Sequence, residues 1–178
     1  RRRFRQLAHD VQDMLSKARP HDLTPKALIV PHAGYIYSGP IAATAYITLK
    51  PIAARIRRVV LLGPTHRVAV RGLALPGAEA FDTPLGRVML DAAAARSITH
   101  LPLVTVSVQA HALEHSLEVQ LPFLQSVLPD FTLLPLAVGM ATPDEVAEVL
   151  ETLWGGEETL IVISSDLSHF LPYATAQR

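Results

Sequence analysis

The apolar run Ala27-Leu28-Ile29-Val30 stops abruptly at Pro31-His32-Ala33-Gly34, and a helix-like run, Ile41 to Leu49, follows. A run this short and apolar, bounded by Pro and Gly, reads as a buried strand. The same pattern returns twice. Val59-Val60-Leu61-Leu62 runs into Gly63-Pro64-Thr65-His66, and Thr159 to Ile163 runs into Ser164-Ser165-Asp166-Leu167-Ser168-His169. Strands of this kind, alternating with helical segments, restrict the chain to an α/β domain. Its sheet is expected to be mostly parallel or mixed, with helices on both faces.

The other segments fit this frame. Leu7, Val11 and Leu15 continue a helical spacing from Phe4, which predicts an amphipathic helix over 4–18. A second helix is expected from Pro40 to Leu49, with Ser38 able to cap it. Val68 to Leu75 reads as a hairpin or an edge strand, and Phe81 to Gly86 as a turn-rich link before a short strand at Val88-Met89-Leu90. Asp91 is placed to cap a helix over 92–98, and Val104 to Val108 alternates like a strand. Pro122 interrupts the leucine spacing of Leu113, Leu117, Leu121 and Leu124, so a regular helix is expected only from about Leu121. Phe131 to Val138 is strand-like, and Thr142-Pro143-Asp144-Glu145 opens a further helix with a cap, a first-turn proline and acids.

Composition closes off several classes of function. The 178 residues are nearly half apolar, and 16 Lys and Arg balance 16 Asp and Glu. One globular domain is expected, with no nucleic-acid footprint; the Arg1-Arg2-Arg3 cluster is too short and too terminal to make one. No apolar run approaches a membrane span, and no secretion signal opens the chain, so a soluble cytoplasmic protein is expected. The absence of cysteine removes disulfides and thiolate ligands.

Eight histidines remain as the notable chemistry. In open α/β sheets, ligands sit just beyond the carboxyl ends of the strands. A parallel sheet would bring His32, His66, Asp166 and His169 to that one edge. Imidazoles and a carboxylate there would suit a divalent metal with open positions. Taken singly, each histidine is better explained by a hydrogen bond to a neighbouring turn; the shared context of three favours one site. Tyr35 and Tyr37 flank the first turn as pocket-lining or packing residues. A second candidate is His111-Ala112-Leu113-Glu114-His115, which matches the inverted zinc-peptidase signature, with His111 and His115 as ligands and Glu114 as base. His115 and Glu118 read better as groups that orient the ligands of the strand-edge site by hydrogen bonds. Thr65, Ser164, Ser165 and Ser168 would be nucleophiles only beside a paired base, and no G-x-S-x-G elbow supports one.

Together these motifs resemble the Memo-like family, whose bacterial and archaeal members are labelled AmmeMemoRadiSam system protein B. Pro31-His32-Ala33-Gly34-Tyr35 with Tyr37-Ser38-Gly39 resembles its opening motif, and Leu62-Gly63-Pro64-Thr65-His66 its second. Thr83-Pro84-Leu85-Gly86, Glu114-His115-Ser116-Leu117-Glu118, Gln120-Leu121-Pro122-Phe123-Leu124 and Ser164-Ser165-Asp166-Leu167-Ser168-His169 follow in family order. The resemblance implies a single Memo-like domain over 1–178, with a fold similar to the class III extradiol dioxygenases, and lacking the family's C-terminal part with its further metal ligand. It implies His32 and His66 as metal ligands, Asp166 and His169 as catalytic groups in the same pocket, and iron(II), zinc or copper as the metal. The activity so implied is that of a non-haem dioxygenase or another redox enzyme acting on a small-molecule or peptide ligand. The alternatives are a non-catalytic binding protein that meets a radical-SAM-system partner and, behind it, the zinc peptidase. The missing strands would expose a sheet edge and apolar surface and so favour a homo-oligomer.

Overall fold

The structure, a computed structural model, describes residues 2–178, with side chains from residue 5 onward. Arg1 and the side chains of Arg2, Arg3 and Phe4 lie outside the described residues. The first half holds α1 (Arg2–Lys17), β1 (Ala27–Val30), α2 (Tyr35–Tyr46), a 3₁₀ segment (Ile47–Ile52), β2 (Arg58–Pro64), β3 (Leu73–Leu75), β4 (Ala80–Thr83), β5 (Gly86–Met89) and α3 (Ala92–Ile98). The second half holds β6 (Val104–Val106), α4 (Val108–Ala112), α5 (His115–Glu118), α6 (Leu121–Val127), β7 (Thr132–Val138), α7 (Pro143–Leu153), β8 (Thr159–Ser164) and α8 (Tyr173–Ala176).

Six strands form the main sheet in the order β1-β8-β2-β7-β3-β6, and β4 pairs with β5 as a separate hairpin. β1, β8, β2 and β7 run parallel, so Val30, Ser164, Leu62 and Leu136 lie toward one edge. β3 pairs antiparallel with β7 and parallel with β6, which makes the sheet mixed. Alternation along β2 divides the core. Val59 and Leu61 pack with Val11, Leu15, Ala43, Tyr46, Phe123 and Leu124 from α1, α2 and α6. Val60 and Leu62 pack with Ala94, Ile98, Val149 and Leu153 from α3 and α7. Both faces of the central strands are therefore dry, as their unbroken apolar runs require. β1 lies at the rim, and its alternate face leaves Ile29 61% exposed.

Asp91 caps α3 by accepting the Ala94 N–H, and Thr142 and Glu145 close a reciprocal capping box on α7. Three expectations need correction. α2 begins at Tyr35, not Pro40, with Gly34 at its N-cap, and Ser38 donates its hydroxyl to the Ala33 carbonyl instead of capping. Pro40 is tolerated inside the helix because it lies on the exposed face, where water can satisfy the carbonyl that its ring leaves unpaired. β3 is an interior strand, flanked by β7 and β6, not an edge. The turn-rich link at 81–86 is a hairpin, with the Thr83 hydroxyl donating to the Gly86 carbonyl across its turn.

Candidate metal centre

Each of three parallel strands carries a polar residue just past its end. His32 lies two residues beyond β1, His66 two beyond β2, and Asp166 two beyond β8. The segment between Ala112 and His115 supplies the rest. Leu113 and the extended Glu114 break the chain between α4 and α5, and Glu114 turns inward as the N-cap of α5. The rings of His32, His66 and His115 gather there. Their centroids are 5.3 Å apart for His32 and His66, 5.0 Å for His66 and His115, and 5.9 Å for His32 and His115.

Glu114 organises one side of this group. Its carboxylate accepts the His66 amide N–H at 2.6 Å, the His66 ring Nδ1–H at 2.9 Å and the Ser116 amide N–H at 2.9 Å. Burial alone would raise its pKa. The Ser116 and His66 hydrogen bonds outweigh burial and bring it down to about 2. A carboxylate oxygen can only accept, so Nδ1 of His66 carries a proton, and Nε2 is the ring nitrogen that Glu114 leaves uncommitted. The Ser116 hydroxyl donates to the Pro64 carbonyl at 2.8 Å and ties α5 to the end of β2.

Asp166 organises the other side. Its Oδ1 accepts the His32 amide N–H at 2.7 Å, and its Oδ2 lies 3.5 Å from His32 Nε2. The His32 ring is buried, and its Nδ1 is 3.1 Å from the Ser164 hydroxyl. Burial pushes the His32 pKa down, more than the Asp166 charge lifts it, which favours the neutral ring that a metal needs. Within this group, His66, Glu114 and His115 could hold a metal ion: each offers a donor atom, all within 4.8 Å of one another.

The remaining candidates fall in different places. His169 is 60% exposed, with Nε2 4.0 Å from Asp166 Oδ2, on the solvent side of that carboxylate. Tyr35 is half-buried between α2 and α6, edge-on to Phe123, and its hydroxyl donates to the Val119 carbonyl at 2.8 Å. Burial, with the Glu118 charge, raises its pKa above the usual phenol range. Tyr37 is exposed. Glu118 is exposed along a cleft of about 220 Å³ that Phe81, Thr83, Leu117, Leu121 and Glu114 also line. His111 departs from the peptidase reading. Its Nε2–H donates to the Ala74 carbonyl at 2.7 Å and its ring faces Phe81. The break at Leu113 and Glu114 takes His111 and His115 off a common helix, so they do not form the i, i+4 ligand pair. Sequence reasoning missed the hold of Glu114 on His66 and the buried polar set Ser116, Gln120 and Ser164. The available signal was polar residues embedded among the leucines of 113–124.

Fold and site thus define an α/β protein whose parallel strands bring imidazoles and a carboxylate to one sheet edge. The Memo-like protein family matches this chain over residues 1–178, and the chain belongs to that family. It is 37% identical over 173 residues to a MEMO1 family protein of Aquifex aeolicus, covering 94% of this chain and 63% of that protein. It is 39% identical over 159 residues to one from Aeropyrum pernix, covering 85% and 56%, and 37% identical over 153 residues to one from Metallosphaera sedula, covering 82% and 54%. The chain therefore spans between half and two thirds of the length of these relatives.

Proposed function

We propose that this chain holds a divalent non-haem metal, iron(II) foremost, between His32 and His66, with His115 as a third imidazole. The observation that supports this most is the meeting of three imidazoles from distant segments, with the His66 proton tied away from Nε2 by a buried carboxylate. A carboxylate behind a ligating imidazole fixes its tautomer and raises its basicity, so Glu114 serves to orient His66. Imidazole and carboxylate donors with open positions suit iron(II), and zinc or copper would accept the same nitrogens. When bound, such a metal supplies Lewis-acid and redox chemistry toward oxygen or a phenolic ligand. Asp166 orients the His32 loop through its amide, and the exposed His169 beside it can carry a proton between solvent and the pocket. The reading as a metal-dependent redox enzyme rests on this arrangement.

The test is metal content after anaerobic loading with iron(II), in the parent chain and in His32→Ala and His66→Ala. About one iron per chain is expected in the parent and far less in either variant, with circular dichroism unchanged. Equal iron in all three proteins would remove both histidines from the site.

A further inference from the structure

Ser164 ends β8 fully buried, and three groups converge on its hydroxyl. The Ser116 carbonyl lies at 2.5 Å, Gln120 Nε2 at 2.9 Å and His32 Nδ1 at 3.1 Å. A serine hydroxyl has one proton and two lone pairs. The carbonyl can only accept, so it takes the proton. The orientation of Gln120 is fixed independently. Its Nε2 is 2.9 Å from the Pro31 carbonyl, and its Oε1 accepts the Tyr46 hydroxyl at 2.9 Å. Turning the amide over would set two oxygens against each other at Pro31. Gln120 therefore donates both N–H groups, one to Pro31 and one to the first lone pair of Ser164. The second lone pair is all that faces His32, so Nδ1 of His32 must donate.

We propose that Ser164, with its hydroxyl oriented by Gln120, is a positioning residue that keeps the His32 proton on Nδ1 and leaves Nε2 bare. This rests on the reading of His32 as a metal ligand. The opposing pull is visible: Asp166 Oδ2 lies 3.5 Å from Nε2 and would accept a proton there. Two acceptors compete for one ring proton, and Ser164 is the nearer. Without its hydroxyl, Asp166 draws the proton to Nε2 and closes the ligand position. Tyr46, stacked on Phe123 at 5.1 Å in the core, is the fixed end of the chain of donors.

The experiment is long-range ¹H–¹⁵N spectroscopy of the ¹⁵N-labelled, metal-free chain at mildly alkaline pH, with His32 signals assigned by their loss in His32→Ala. The parent should show a protonated Nδ1 and a bare Nε2. Ser164→Ala should reverse that pattern and weaken iron(II) binding about 10- to 100-fold. Gln120→Leu, which keeps the hydroxyl but not its orientation, should show both tautomers. A parent chain with its His32 proton on Nε2 overturns the proposal without any variant, as does a folded Ser164→Ala with the parent pattern. A parent chain with Nδ1–H that binds no iron(II) would sink the metal reading and leave this assignment standing.

Discussion

Glu114 and His66 stand 48 positions apart in the chain and meet through two hydrogen bonds, one to the backbone and one to the ring. Both carboxylate oxygens are committed, one to the His66 amide and the other to the His66 ring and the Ser116 amide. Glu114→Gln keeps the volume but must place an NH₂ where one of these N–H donors points. The expected result is a loss of about 1–3 kcal/mol in urea denaturation. Calorimetric titration with iron(II) should show affinity reduced about 10- to 100-fold, because His66 is no longer held in one tautomer. Unchanged affinity would mean that His66 needs no carrier. At this scale the histidines were legible, because a polar residue just past an apolar strand stands out without a structure. Glu114 was not. Its partner is fixed by the break between two short helices, and local sequence offered it as part of a peptidase motif and of a family motif, neither of which points to His66.

Gly63 shows how closely two elements must approach to build the site. A Cβ there would come within 2.8 Å of Leu117 Cδ2 and 2.9 Å of Ser116 Oγ. The lack of a side chain near the end of β2 is what lets α5 lie against it. Gly63→Ala should push α5 outward and cost about 1–3 kcal/mol, the usual penalty for overfilling a packed site. It should also weaken iron(II) binding, since α5 carries Glu114 at its cap and His115 at its first position. A lower melting temperature with unchanged metal affinity would show that the contact matters to stability alone. Most elements could be read from the sequence, because capping residues and apolar runs act locally: Asp91, Thr142 and the core of β2 lie where they were expected. The exceptions have non-local causes. Pro40 looks like a helix start until the exposure of its face is known. Leu73 to Leu75 is too short to reveal that strands flank it on both sides.

Across the whole molecule, the shifted groups set how stability follows pH. His32 and His111 both have lowered pKa values, chiefly through burial. Below the ordinary value of 6.5, the unfolded chain binds protons that the folded chain refuses, so stability falls as pH drops from there. Glu114, at about 2 against an ordinary 4.5, adds a second decline that starts near 4.5 and continues toward 2. The melting temperature of the metal-free protein should therefore fall in two stages as the pH drops below neutral. A rise between neutral pH and mild acid would contradict this, and Glu114→Gln should lessen the lower stage, to which the lowered carboxyls of Asp91 and Glu145 also contribute. No described helix is long and apolar enough to cross a membrane. The sheet order has a kinetic consequence as well. His66 follows a strand paired on both sides, whereas His32 follows a four-residue strand at the rim, paired among the described residues with β8 alone. Fraying β1 breaks one ladder; displacing β2 breaks two. An ion held between the two histidines would thus have one firm post and one hinged gate. Its residence time would follow the breathing of the rim, and its departure would leave the rest of the sheet in place.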